Sequence, residues 1–334
     1  MTSPTLMTDG FGRSVNYLRL SITDRCNLRC LYCGSPEMRF IPHEDILRYE
    51  ELIQLVDLAV SLGIGKVRLT GGEPLARRNF MFLVESLMAR HPGLDLRVTT
   101  NGVLLGGKAK ALKELGVKAV NLSLDALDSA IFERITGRDA YREVRAAIDE
   151  VLAEGPRLKI NAVGLKGVND HQLGAFLDLA MKNPVDVRFI EFMPMGGKTV
   201  WTPERFWSAE EMLADASKIA ELTPVSSGER DGPARMYELA GGLGRFGVIS
   251  PMSNHFCDSC NRLRITPDGR LRTCLFSDRE YRLRPLLRHP KLGQETLRRV
   301  VVKALAKKPR GYEILKMRRA NGPAAQKRMS AIGG

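Results

Sequence analysis

Short stretches in which apolar and polar residues alternate are followed by longer ones with apolar residues at helical spacing, and this exchange repeats through the first two thirds of the chain. The alternating stretches predict strands over Tyr17 to Thr23, Lys66 to Thr70, Leu94 to Thr100, Lys118 to Leu124, Arg157 to Val163 and Val185 to Met193. Between them, segments such as YEELIQLVDLAVSLG and AYREVRAAIDEVLAEG carry an apolar stripe that predicts amphipathic helices. A strand and helix in regular exchange imply a parallel sheet with right-handed crossovers. Six such units predict an α/β fold of the partial (β/α)6, TIM-type barrel kind.

The polar side of the strands carries a second message. Leu18, Leu20 and Ile22 alternate with Arg19, Ser21 and Thr23, and Val67 and Leu69 with Arg68 and Thr70. Val120, Leu122 and Leu124 alternate with Asn121, Ser123 and Asp125, and Leu158 and Ile160 with Lys159 and Asn161. If helices cover the apolar faces, the polar faces line the interior. An ordinary closed barrel fills its interior with Val, Ile and Leu. This one is expected to hold a wet, cationic cavity around Arg19, Arg68 and Lys159.

After Met193 the pattern breaks into loop-like sequence, then a helical stretch to about Leu222, then a turn-rich run to Ser250. A boundary is therefore placed near Thr223, dividing residues 1–222 from a smaller α+β unit over 223–334. The closing NGPAAQKRMSAIGG reads by composition as a mobile basic tail.

Charge and cysteine content narrow the chemistry. A net charge of +13 favours polyanionic partners: nucleic acid, a nucleoside triphosphate or a membrane surface. No apolar run reaches the roughly 18 residues of a membrane span, and the N-terminal residues lack the pattern of a signal peptide, so a cytoplasmic protein is expected. Six cysteines are too few for a disulfide scaffold in 334 residues, and they fall in two trios.

Cys26, Cys30 and Cys33 are spaced C-x3-C-x2-C in one polar loop after the first strand. Zinc wants four ligands and disulfides want pairs. Three thiols suit a 4Fe-4S cluster with one iron left open to a small molecule. With Tyr32 before the last cysteine, and TGGEP (Thr70 to Pro74) ending the second strand, the sequence resembles the radical S-adenosylmethionine (radical SAM) enzymes. Glycines at that strand end let backbone approach a ligand, and Glu73 is expected to accept from the amino group of SAM. TTNG, LSLD and EFMPMG fall at later strand ends. By the same resemblance Tyr32, Gly72, Glu73, Asn101, Ser123 and the Met193 backbone belong to the SAM site.

The second trio, Cys257, Cys260 and Cys274, is read as a second 4Fe-4S cluster with an open iron, zinc completed by His255 being the alternative. Between those cysteines Arg262 and Arg264 alternate along a predicted strand, which puts two phosphate-binding guanidiniums on one face. Two such trios, the cationic strands and the terminal Gly333-Gly334 together resemble the GTP 3′,8-cyclase family, over nearly the whole chain from Arg19 to Gly334. The resemblance implies a C-terminal unit that closes the barrel mouth and GTP bound between the clusters. It implies Arg19, Arg68, Thr99, Lys159, Arg188, Arg262, Leu263 and Arg264 as GTP-binding residues. Arg262, Arg264, Gly333 and Gly334 would take part in the reaction itself. The family reaction removes hydrogen from the ribose 3′ carbon of GTP, which then bonds to guanine carbon 8.

Implied cofactors are two 4Fe-4S clusters and SAM. Implied partners are a reductant such as flavodoxin or ferredoxin, a downstream cyclic pyranopterin monophosphate synthase and a possible second copy of the chain, with no nucleic acid or membrane. CGSPE at Cys33 to Glu37 departs from the family, which continues with methionine and proline after the third cysteine. A radical SAM enzyme acting on a peptide or a tRNA base is the enzymatic alternative. A basic zinc-stabilised RNA-binding module is another, although aromatic residues, at 6%, are sparse for stacking on bases.

Overall fold

The structure is a computed structural model and describes residues 7–33, 40–196, 200–226, 232–319, 327 and 329–333. All six expected strands form: β1 (Tyr17–Ser21), β2 (Lys66–Thr70), β3 (Asp95–Thr100), β4 (Ala119–Ser123), β5 (Arg157–Gly164) and β6 (Asp186–Glu191). Strands β1 and β6 stop two residues short of the expected Thr23 and Met193, because those residues already turn into loops. The Thr23 carbonyl accepts from the Gly72 amide at 2.8 Å, and the Met193 carbonyl from Met195 at 2.8 Å.

Crossover helices α1 (Tyr49–Ser61), α2 (Phe80–Arg90), α3 (Ala109–Glu114), α4 (Ser129–Thr136), α5 (Tyr141–Glu154) and α6 (Leu173–Lys182) link these strands. Their ends follow local chemistry. Asp128 caps α4 by accepting from the Ile131 amide at 2.9 Å, and Gly137 ends the helix at φ 68°, where a side chain would be strained. Outward-facing strand residues such as Leu20, Leu69, Val98 and Leu122 are wholly buried against the helices. The opposite face is left to the polar residues, as the alternation predicts.

Beyond α7 (Ala209–Ser217) the structure departs from the expected turns. Three strands follow, β7 (Leu222–Val225), β8 (Arg235–Leu239) and β9 (Arg245–Ile249), with β8 antiparallel to both of the others. Gly247 had obscured β9: a Cβ there would lie 2.9 Å from the Arg235 carbonyl of the neighbouring strand, so the pairing needs glycine. The strands β10 (Arg262–Ile265), β11 (Arg270–Arg272) and β12 (Tyr281–Arg282) come next.

One sheet holds all twelve strands in the order β12-β11-β10-β1-β2-β3-β4-β5-β6-β9-β8-β7. Its central eight, from β10 to β9, are parallel. The boundary placed at Thr223 thus falls inside β7, and strands from beyond it extend both flanks of the barrel sheet. That segment ends in α8 (Arg284–Leu287), α9 (Gln294–Ala306), α10 (Gly311–Arg319) and α11 (Met329–Ile332).

The tail corrects its compositional reading. Ile332 is fully buried in a small apolar cluster with Met195, Met252, Phe276 and Leu315, so the last described turn is packed into the molecule. No helix among the described residues is long and apolar enough to cross a membrane.

Candidate active site

A cavity of about 340 Å³ runs along the polar face of the parallel strands, from their first residues, such as Tyr17 and Lys66, to the loops after their C-terminal ends, and its wall includes all six cysteines. The first trio is set by backbone. Arg29 and Leu31 amides donate to the Thr136 and Ile135 carbonyls at the end of α4, and Cys33 donates to the Cys30 carbonyl at 3.0 Å. Gly71 and Gly72 serve the packing of this loop: a Cβ on either would run into the backbone at Thr23 or Arg25. The Gly72 and Glu73 amides then zip onto the Thr23 and Arg25 carbonyls, each at 2.8 Å. The glycines are needed where the cysteine loop crosses the second strand end, before any ligand is considered.

Glu73 is wholly buried and does not line the cavity. Its carboxyl accepts from Leu75 N at 3.0 Å, Thr100 Oγ1 at 2.8 Å and Asn101 N at 2.7 Å. In this arrangement the carboxyl ties the second strand end to the third. Burial lifts its pKa to about 7 in spite of those donors. Asn101 donates from Nδ2 to Asn27 Oδ1 at 2.8 Å and lies 3.6 Å from Cys26 Sγ, so it joins the third strand end to the cysteine loop. Tyr32 donates to Asp125 Oδ2 at 2.6 Å, and Asp125 Oδ1 accepts from Val163 N at 2.7 Å, which joins the loop to β4 and β5. Burial raises the Asp125 pKa to about 6. Gly72, Asn101, Ser123, Met193 and Tyr32 all line the cavity.

Burial raises the thiol pKa values of Cys26 and, more strongly, Cys30, the latter also facing Asp125 and its two companion thiols. A cationic centre among them reverses that penalty.

Across the cavity floor the register aligns cations. Arg264 of β10, Arg19 of β1, Arg68 of β2 and Arg97 of β3 are direct neighbours in one row across four strands. Like charges opposite one another on a sheet are destabilising, so such a row calls for an anion. Asp95 answers part of it by pairing with Arg97 at 2.7 Å, and Asp186 pairs with Lys159 at 3.0 Å. Arg68 and Arg188 share the Asn121 amide oxygen at 3.0 and 2.7 Å once that amide is oriented toward them.

Burial is the main reason the Arg68 pKa falls to about 9 and that of Arg188 to about 10, while Arg264 falls well below the usual value. The phenol of Tyr17 is raised by burial, but Arg68, Arg19, Arg262 and Lys66 around it bring the net value down to about 8. Arg68 Nε, Thr99 Oγ1, Asn161 Oδ1 and Arg188 Nε are buried with no partner among the described residues. Buried polar atoms are normally satisfied, so the two guanidinium Nε–H groups and the Thr99 hydroxyl suit a polyoxygenated anion, while Asn161 Oδ1 calls for a donor.

Opposite the first trio stand Cys257, Cys260 and Cys274. Gly311 permits their approach, since a Cβ there would lie 2.7 Å from Cys274 Sγ. Burial raises the Cys260 thiol, but Arg262 and Lys308 outweigh it and bring the pKa down to about 6. His255, which the zinc alternative needs, is not on the cavity wall. Its Nδ1 lies 2.8 Å from the Pro251 carbonyl and its ring stacks on Tyr312.

The tail reaches the same floor: the Gly333 carbonyl accepts from Arg264 Nη1 at 2.7 Å and from Arg19 Nε at 3.2 Å. Gly333 has φ +72°, and a Cβ would come within 3.0 Å of Ser21 and Thr70, so both conformation and space favour glycine. Gly334 and the CGSPE departure at Gly34 to Glu37 lie outside the described residues.

A family model described as Radical SAM superfamily matches residues 20–180, and one described as Molybdenum Cofactor Synthesis C matches residues 185–314. A GTP 3′,8-cyclase of Thermodesulfovibrio yellowstonii is 44% identical over 310 residues, 91% of this chain and 95% of that protein. The chain belongs to the GTP 3′,8-cyclase family. Another member, from Alkaliphilus oremlandii, is 40% identical over 98% of this chain and 100% of its own. SuiB of Streptococcus suis, solved with S-adenosylmethionine bound, superposes with a TM-score of 0.56 over 95% of this chain and 77% of its own, at 15% identity, which bears on the fold alone.

Set against the residues the GTP 3′,8-cyclase resemblance implied, the structure brings Arg19, Arg68, Thr99, Lys159, Arg188, Arg262 and Arg264 to one cavity wall. Leu263 is the exception. It pairs with Leu18 and is buried in the main apolar core, since strand alternation turns it away from its two arginine neighbours. Tyr17, Lys66 and Arg97 line the cavity without having been singled out, although strand alternation places them on the same face as their cationic neighbours.

Proposed function

We propose that this chain is a GTP 3′,8-cyclase. It converts GTP to (8S)-3′,8-cyclo-7,8-dihydroguanosine 5′-triphosphate, with reductive cleavage of SAM to methionine and 5′-deoxyadenosine, as the first step of molybdenum cofactor biosynthesis. The observation that carries this reading is the single cavity bounded by both cysteine trios and floored by the arginine row.

Cys26, Cys30 and Cys33 would hold one 4Fe-4S cluster, and Cys257, Cys260 and Cys274 the other. Bound there, the first cluster and SAM supply the one-electron chemistry that opens an unactivated C–H bond. The chain's own residues bind and orient. Arg19, Arg68, Arg262 and Arg264 offer forked donors to the triphosphate, and Arg188 and Lys159 extend that surface toward β5 and β6. Tyr32, Asn101, Ser123 and the Met193 backbone form the wall beside the first trio, where SAM would lie. Met195, Phe276 and Met329 of the Ile332 cluster give one side of the cavity an apolar lining, and Gly333 meets the arginines that would grip phosphate.

A reductant such as flavodoxin or ferredoxin and a downstream cyclic pyranopterin monophosphate synthase belong to the same proposal. The test is anaerobic incubation of the iron- and sulfide-reconstituted protein with dithionite, SAM and either GTP or ATP. A nucleotide product isomeric with its substrate is expected from GTP alone. Cleavage of SAM with GTP recovered unchanged would remove the substrate assignment.

A further inference from the structure

Lys308 follows α9 and is only 2% exposed, yet its Nζ donates to Cys260 Sγ at 3.3 Å, to the Arg262 carbonyl at 3.2 Å and to the Thr273 carbonyl at 2.9 Å. An ammonium has three N–H donors, and these contacts use all of them. No carboxylate pairs with it among the described residues. A buried cation without a counter-ion is strongly disfavoured unless an anion completes its surroundings. A cluster held by this trio would place negative charge beside that ammonium.

The two carbonyls matter as well. Arg262 lies just beyond Cys260, and Thr273 immediately precedes Cys274, so one ammonium spans the gap between the paired cysteines and the third. The lysine backbone is itself held. Arg13 donates from Nη2 to the Lys308 carbonyl at 3.3 Å and from Nη1 to the Cys257 carbonyl at 2.6 Å, while its Nε pairs with buried Asp9 at 2.6 Å. Arg13, Lys308 and the trio therefore form one unit.

We propose that Lys308 is a positioning residue for the second cluster: it holds the Cys257 and Cys260 loop to Cys274 and raises that cluster's reduction potential by donating to Cys260 Sγ. The inference rests on the reading that this trio carries a 4Fe-4S cluster. Donors and positive charge at cluster sulfur favour the more negative, reduced state.

The experiment uses the full chain with Cys26→Ala, Cys30→Ala and Cys33→Ala, so that any cluster assembled anaerobically belongs to the second trio. Iron content and the midpoint potential, followed by electron paramagnetic resonance, are compared among this parent, Lys308→Met and Lys308→Arg. The expected results are a potential shifted to more negative values in Lys308→Met and one nearer the parent in Lys308→Arg. Loss of iron in Lys308→Met with retention in Lys308→Arg also supports the proposal, since charge then decides assembly. A parent that takes up no iron overturns the cluster reading itself. A parent cluster whose potential Lys308→Met leaves unmoved, or one lost equally from both lysine variants, overturns the role of Lys308 and leaves the cluster reading standing.

Discussion

Cys30→Ala is expected to eliminate 5′-deoxyadenosine formation, whereas Cys274→Ala is expected to leave SAM cleavage in place and eliminate the cyclised nucleotide. The split follows from where the trios stand. Cys30 sits in the loop knitted to Gly72, Asn101 and Asp125 at the ends of β2, β3 and β4, the side assigned to SAM. Cys274 follows β11, at the other end of the strands, and stands beside Gly311. Iron per chain should fall by about four atoms in each variant, since each loses one 4Fe-4S site. Chromatographic assay of 5′-deoxyadenosine and of nucleotide checks both. Retained SAM cleavage in Cys30→Ala, or its loss in Cys274→Ala, would contradict the assignment of the two trios.

Arg264→Ala carries the second large effect. The kcat/KM for GTP is expected to fall roughly 30-fold or more, because truncating one partner of a buried, hydrogen-bonded charge pair costs about 2–5 kcal/mol. Arg264 is buried in the row with Arg19 and Arg68 and already donates to the Gly333 carbonyl, which shows its fork aimed at an oxygen acceptor on the cavity floor. Arg264→Lys should recover only part of the loss, since a lysine keeps the charge but not the paired donors. Slow SAM cleavage without GTP should persist in both. Steady-state kinetics over a GTP series provides the check, and unchanged kcat/KM in Arg264→Ala would remove this residue from the substrate site.

Much of this architecture is legible in the chain because strand alternation is a short-range signal. The apolar Leu18 and Leu20 against Arg19 and Ser21 fix which face of β1 meets the helices, and Arg68 and Lys159 follow by the same rule. Cysteine spacing is equally local. What alternation cannot supply is adjacency between distant segments. Arg264 lies beside Arg19 because β10 joins the free edge of β1, a pairing between opposite ends of the chain. Leu263 follows the alternation rule too, its side chain turning to the core between Arg262 and Arg264. Glu73 has a charged side chain at a site-forming turn, yet backbone amides already claim its carboxyl. β7 to β9 were masked by Pro224 and Gly247, residues that normally punctuate loops. Arg13 and Lys308 meet the second trio from distant parts of the sequence, and nothing in their own sequence neighbourhoods signals it.

The most direct test of the account is the fate of one hydrogen. GTP carrying deuterium at the ribose 3′ carbon would be turned over anaerobically by the reconstituted protein with unlabelled SAM, and 5′-deoxyadenosine analysed by mass spectrometry. The account predicts deuterium in 5′-deoxyadenosine, formed together with a cyclised nucleotide that has lost the label. Label that stays in the nucleotide while SAM is cleaved would contradict the claim that this cavity brings SAM to the ribose of GTP.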